Sequence, residues 1–251
     1  MKKESKKLLI PYITAGYPTR KFFLPILHKL SSLGVDYIEV GVPHSDPLAD
    51  GPVIQHSSKV ALEQGVSLKW ILNSCKKLSP KKIKPLILFS YFNPVFEYGL
   101  ERLLKDLPKP LFYGLIIPDL PFDEAKKYIS IFKKYDLNLI LLAAPTTKSE
   151  RIKNIAKYSN GLIYLVSVIG VTGERKKISS NVKKKIMEIK KYTRKPVVVG
   201  FGIGNSKQAK HVLSFGADGV VIGSAIIKLL QGKNNLILKK LEKYIKSFNL
   251  H

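Results

Sequence analysis

Short apolar runs alternate with amphipathic stretches along almost the whole chain. Eight runs carry the β-branched, aliphatic and aromatic residues that suit buried strands: Leu8–Thr14, Asp36–Gly41, Pro85–Ser90, Tyr113–Asp119, Leu137–Ala144, Gly161–Ser167, Lys195–Gly202 and Asp218–Ser224. Between them apolar positions return at helical spacing. The stretch RKFFLPILHKLSSLG ends at Gly34, a helix-terminating residue. DEAKKYISIFKKYD opens on acids and closes on lysines, as the helix dipole favours. SKQAKHVLSFGAD is read as capped by its serine, Ser206, and stopped at Gly216, and NNLILKKLEKYIKSF closes the chain.

Eight strands with eight crossovers predict an α/β fold, the (β/α)8 or TIM barrel. Near-continuous apolar strands also suit a parallel sheet covered on both faces. An open doubly wound sheet is the alternative, but no G-x-G-x-x-G follows the first strand. The 251 residues suffice for one barrel, and no Ser/Gly-rich or low-complexity run divides them. Residues 1–251 are therefore read as a single barrel domain with a short N-terminal extension. In such a barrel the chemistry gathers at the C-terminal ends of the strands.

The second strand breaks its own pattern, because Glu39 stands among Val35, Tyr37, Ile38, Val40 and Val42. Side chains alternate along a strand, so if Ile38 and Val40 face the helices, Glu39 points into the barrel near its upper rim. Burial there raises a carboxyl pKa towards neutrality, which suits a group that both gives and accepts a proton. A structural glutamate satisfied by a nearby backbone group or hydroxyl is the competing reading. The loop VPHSDPLADGP adds Asp46 and Asp50, and Pro43, Pro47 and Pro52 stiffen it. Asp50 is either a second carboxylate over the mouth or half of an Asp-Gly turn.

Two glycine turns, Gly200–Asn205 and Gly223–Ala225, follow the last two strands and precede helices, the usual place for phosphate in this fold. The segment Ser167–Asn181, with Gly170 and Gly173, reads as a lid or as a plain surface loop.

Composition then narrows the classes. The net charge is +25, but the lysines are spread along the chain without interleaved aromatics, so solvated helix faces are favoured over a specific nucleic-acid surface. A lone cysteine, Cys75, permits no intramolecular disulfide and suits a reducing cytoplasm; it reads as a small packed side chain on a helix. The start MKKESKKLLIPYITAG has a basic segment before an apolar one, yet the apolar run is short and holds Pro11, so export is disfavoured. No run reaches the roughly 18 apolar residues of a membrane span. His28 and His211 fall within helices, His251 is terminal, and only His44 and His56 lie near the mouth, so no metal cage is expected. An amino-sugar isomerase would want acids where Thr14 and Ala143–Ala144 end their strands. A basic binding module without catalysis is the remaining alternative.

The segments PYITAGYP, YIEVGVPHSDPLADGPVIQ, LLAAPTT, GLIYLVSVIGVTG, GFGI and GSAI, in this order over nearly the whole chain, closely resemble the tryptophan synthase alpha chain family. The resemblance implies a (β/α)8 barrel with lyase activity. The reaction is retro-aldol cleavage of indole-3-glycerol phosphate to indole and glyceraldehyde 3-phosphate, the penultimate step of tryptophan biosynthesis. It implies no cofactor or metal in this chain, and a beta-chain partner carrying pyridoxal phosphate in an α2β2 tetramer that receives the indole. By resemblance Glu39 matches the general acid–base and Asp50 the second catalytic carboxylate. Tyr164 matches an indole-pocket tyrosine, Thr172 the lid threonine that meets the second carboxylate, and Gly173, Phe201, Gly202, Gly223 and Ser224 the phosphate site. Tyr12, Phe89 and Tyr91 fall at pocket-lining positions, and Asp46 and Pro47 on the surface that meets the beta chain. Tyr12 and His44 stand where the family commonly has phenylalanine; His44 either alters pocket polarity or packs. The family's extra helix before the first strand is expected to be short or missing, since only MKKESKK precedes Leu8.

Overall fold

The computed structural model describes residues 6–166, 180–200, 202–232 and 236–249. Nine parallel strands form one sheet: β1 (Leu8–Thr14), β2 (Ile38–Gly41), β3 (Leu86–Phe89), β4 (Phe112–Ile116), β5 (Asn138–Ile140), β6 (Leu142–Ala143), β7 (Ile163–Val166), β8 (Val197–Gly200) and β9 (Gly219–Ile222). Their order is β5-β4-β3-β2-β1-β9-β8-β7-β6. The two outer strands are consecutive in sequence and only Leu141 separates them, so the sheet curls into a nearly closed (β/α)8 barrel.

All eight predicted runs are strands, and the ninth arises because the fifth run is split. The Leu141 N–H donates to the Ser159 hydroxyl at 3.1 Å, outside the strand ladder, while its carbonyl accepts the Tyr164 N–H at 3.2 Å. Ser159 in turn donates to the Leu162 carbonyl at 2.8 Å. A buried hydroxyl thus serves the one backbone amide that the break would leave bare.

Helices surround the sheet, and each presents an apolar stripe inward. Helix Phe23–Ser32 buries Phe23, Ile26, Leu27 and Leu30, each contributing about 1.5–3 kcal/mol against exposure. Gly34 and Gly216 take the positive φ values, 79° and 96°, that reverse the chain after their helices. The cap of helix Ser206–Ser214 differs from expectation. Its N-cap is Asn205, whose side chain accepts the Gln208 N–H at 2.9 Å. Ser206 is already helical, and its hydroxyl donates to the Phe248 carbonyl at 3.1 Å. The stretch 123–136 winds as α (Phe122–Ala125), 3₁₀ (Lys126–Tyr128) and α again (Ile129–Lys134). Helices Pro52–Glu63 and Leu68–Cys75 fill the long interval between β2 and β3, and Cys75 is buried in the second, as read from the sequence.

Acids at the strand starts tie the lower rim. Asp36 accepts the Leu9 N–H at 2.9 Å and pairs with Lys6 at 2.6 Å. Asp218 accepts the Val197 N–H at 2.8 Å and pairs with Lys190 at 2.7 Å. The opposite rim is left to the loops that follow the strands.

Candidate active site

β2 is buried along its whole length, and Glu39 is only 2% exposed. Its register neighbours are Tyr12 on β1 and Ile87 on β3. Tyr164 sits on β7, four strands from β2 by way of β1, β9 and β8 and five by way of β3 to β6, yet it lies within the electrostatic reach of Glu39 and Asp50. That proximity exists only across the interior, so Glu39 points inward, as the alternation of its strand predicts.

Two glycines make room for the tyrosines. A Cβ on Gly41 would collide with the Tyr12 hydroxyl, and one on Gly200 with the Tyr164 hydroxyl. Lacking Cβ atoms, β2 and β8 let two phenols lie across their ends. Tyr12 also meets Phe89 edge-on at 5.8 Å. A Cβ on Gly223 would lie 3.6 Å from Tyr12, so the turn after β9 adjoins the same wall.

The Glu39 Oε2 is buried with no hydrogen-bond partner among the described residues. At this oxygen the reading of Glu39 as a structural acid satisfied by its neighbours finds no support. An unpartnered buried carboxylate is costly, so the group takes a proton instead. Burial first, and the nearby Asp50 charge second, push its pKa up to about 8.

Asp50 is 6% exposed and reaches the cavity by way of a folded loop. The Leu48 N–H donates to the Asp46 carbonyl at 3.0 Å and the Asp50 N–H to the Pro47 carbonyl at 2.9 Å. These turns throw Leu48 outward, 74% exposed, while Asp50 goes in. Asp50 is therefore more than half of a turn. The Tyr91 O–H donates to its Oδ2 at 3.0 Å, and the Gln55 side chain donates to its backbone carbonyl at 2.9 Å. Burial raises the Asp50 pKa to about 6, and the bond from Tyr91 holds it from rising further.

Glu39, Asp50, Tyr12, Phe89, Tyr91 and Tyr164 thus form one cluster. Gly202, with φ 76°, and Gly223 and Ser224, at the start of helix Ser224–Leu229, occupy the turns beyond β8 and β9. Asp46 is exposed and Pro47 half-buried on the outer side of the β2 loop. Thr172, Gly173 and Phe201, and the lid reading of 167–181 apart from its last two residues, lie outside the described residues. Among the described residues no group of three or more His, Cys, Asp or Glu could hold a metal ion. A surface hollow of about 440 Å³ between Pro25, His28 and Lys82 touches neither carboxylate.

Sequence reasoning missed the partners that set the chamber. The Tyr91–Asp50 bond joins positions 41 residues apart. The Thr14 and Ser57 hydroxyls meet at 2.6 Å behind Tyr12, 43 positions apart. No spacing rule reaches that far; a tyrosine directly after a strand end is the only signal the chain offers.

A parallel barrel with two interacting buried acids where its strands end has the architecture of a barrel enzyme. The family model for the tryptophan synthase alpha chain matches residues 1–250. The tryptophan synthase alpha chain of Prochlorococcus marinus subsp. pastoris is 47% identical over 93% of this chain and 84% of its own. That of Arabidopsis thaliana is 41% identical over 98% and 90%. Among solved structures, the tryptophan synthase complex of Pyrococcus furiosus superposes with a TM-score of 0.85 at 32% identity, covering 97% of this chain and 98% of that one. The alpha subunit from Campylobacter jejuni gives 0.85 at 34% identity, covering 97% and 96%. The chain belongs to the tryptophan synthase alpha chain family. It is a carbon–carbon lyase of tryptophan biosynthesis.

Proposed function

We propose that Glu39 and Asp50 carry the retro-aldol cleavage of indole-3-glycerol phosphate to indole and glyceraldehyde 3-phosphate. Indole is a poor leaving carbanion, so C3 is protonated before the bond breaks. Glu39, protonated near neutral pH, gives that proton. Protonation at C3 places positive charge on the ring nitrogen, and the Asp50 carboxylate accepts its N–H and stabilises the charge. The glycerol hydroxyl beside the ring then loses its proton to Glu39 and becomes the aldehyde carbonyl. The carbon–carbon bond pair returns to the ring. One proton is given and one taken, so Glu39 ends as it began.

Tyr12, Phe89, Tyr91 and Tyr164 wall the indole. Gly202, Gly223 and Ser224 are read as receiving the phosphate at the turns beyond β8 and β9, together with Gly173 and Phe201; Thr172 is read as meeting Asp50. No metal or cofactor is assigned to this chain. Residues 1–251 are taken as one barrel domain.

The partner is read as a beta chain, with pyridoxal phosphate, in an α2β2 assembly. The Pyrococcus furiosus relative is described as an α2β2 complex with mutual activation. Support within this chain comes from the loops at the catalytic rim. Asp46 and Pro47 flank the outward Leu48, and Phe96, on the helix that follows β3, is 69% exposed. Substituting Leu48→Asp together with Phe96→Asp is expected to weaken beta-chain association at least tenfold, measured by titration calorimetry, while isolated-chain cleavage changes little. Unchanged affinity would place the interface elsewhere. The location is read as cytoplasmic; among the described residues no helix is long and apolar enough to cross a membrane.

The observation that carries this reading is the meeting of Glu39 near pKa 8, its Oε2 without a hydrogen-bond partner among the described residues, with Asp50 near 6. Cleavage needs Glu39 protonated and Asp50 ionised together. The kcat/KM for indole release is therefore expected to be bell-shaped, with limbs near pH 6 and 8, which belong to the interacting pair. A profile flat from about pH 5 to 9 would remove both assignments. Running the assay with and without a beta chain tests the partner reading at the same time.

A further inference from the structure

We propose that His44 is a positioning residue, whose stacked ring holds Tyr91 so that the phenol directs its O–H at Asp50. The inference rests on the reading of Asp50 as the carboxylate that meets the indole nitrogen, and it adds a residue to that site.

The β2 loop folds around one phenol. The His44 ring lies against the Tyr91 ring with centroids 5.0 Å apart and planes 28° from parallel, a stacked arrangement. The Ala49 N–H donates to the Tyr91 oxygen at 3.0 Å. That oxygen has a single proton, and with the amide already donating to it, the proton goes to Asp50 Oδ2 at 3.0 Å. The direction of the bond is thus set by the loop itself. His44, Ala49 and Asp50 all come from the β2 loop, whereas Tyr91 follows β3 and is only 4% exposed.

The consequence for Asp50 is electrostatic. Around Asp50 stand Glu39 on β2, Tyr12 on β1, Tyr164 on β7 and Tyr91 beyond β3. Tyr91 also faces Asp119 beyond β4, whose carboxylate accepts the Phe92 N–H at 2.8 Å. Among these neighbours Tyr91 is the group that donates to the Asp50 carboxylate and favours its charged form. A ring free to swing away would leave Asp50 to its burial, and the acid would hold its proton to higher pH. His44 is half-buried, whereas the Tyr91 ring that it stacks on is 4% exposed.

The test is the pH profile of kcat/KM for indole release by the full chain in four forms: wild type, Tyr91→Phe, His44→Leu and His44→Phe. Circular dichroism melting curves confirm that each is folded. Tyr91→Phe deletes the donor and moves the acidic limb upward. His44→Leu, which loses the stack, is expected to move the limb the same way, with about a tenfold loss below pH 6 for a one-unit shift and little loss near pH 7.5. His44→Phe keeps a stacked ring without the imidazole nitrogens and should keep the wild-type limb. Titration of the substrate phosphate is common to all four and cancels in the comparison. A His44→Leu limb at the wild-type position, with that of Tyr91→Phe displaced, would overturn the inference and leave His44 as surface packing. A His44→Phe limb displaced as far as that of His44→Leu would overturn it too, by assigning the effect to the imidazole nitrogens. If Asp50→Asn proves fully active, the underlying reading of Asp50 fails, and that result is distinct from either outcome at His44.

Discussion

Glu39→Gln is expected to fold, to bind its partner, and to release indole at least about 10²- to 10⁴-fold more slowly than the wild type. The amide has nearly the shape of the carboxyl but neither gives nor accepts the proton. The loss should sit at the upper end of that range, because one group serves both transfers. The same substitution carries a second signature. Burial raises the Glu39 pKa from its ordinary range to about 8. Its contribution to stability is therefore complete at low pH, where folded and unfolded chains are both protonated. It declines as pH rises, because the unfolded chain ionises first, and it is lost once pH passes about 8. Glutamine does not titrate. The stability of the variant relative to the wild type should climb across this window, by about 1.4 kcal/mol per pH unit at the steepest. Urea unfolding at about pH 5, 7 and 8.5 measures it. Near-normal indole release would show that Glu39 is not the acid, and a stability difference that ignores pH would show that it is not buried uncharged.

Asp50→Asn should lower kcat/KM by about 10²- to 10³-fold, the cost of losing one preorganised charge against a transition state. Asparagine still offers an oxygen to the indole N–H, so the loss measures the charge rather than the contact. A shift in pH accompanies it. The Asp50 anion is the second cause of the high Glu39 pKa, so its removal lowers that pKa. The alkaline limb of the residual activity should then move to lower pH. Full activity would refute the role of Asp50. A residual profile with an unmoved alkaline limb would show that the two acids do not sense each other.

Much of this chamber was legible along the chain. The eight strands follow from apolar runs of strand length, and the inward aim of Glu39 from simple alternation. The three prolines announce an ordered loop after β2. The Ser206 cap was misread for a plain reason. Capping residues stand side by side at 205 and 206, and what selects between them is the Phe248 carbonyl, which engages the Ser206 hydroxyl. The split of the fifth strand was hidden in the same way, since Leu137–Ala144 is uniformly apolar and the break is made by Ser159.

The chain by itself determined which segments become strands, which acid stands among apolar neighbours, and which family the order of motifs belongs to. These are matters of local periodicity and residue type, written within a few positions of each other. Only the tertiary structure decided that the Glu39 Oε2 has no hydrogen-bond partner among the described residues, that Tyr91 donates to Asp50, and that His44 stacks on the Tyr91 ring. Charge state and hydrogen-bond direction depend on what burial brings close. In a barrel, burial joins residues some 40 positions apart, beyond the reach of any sequence period.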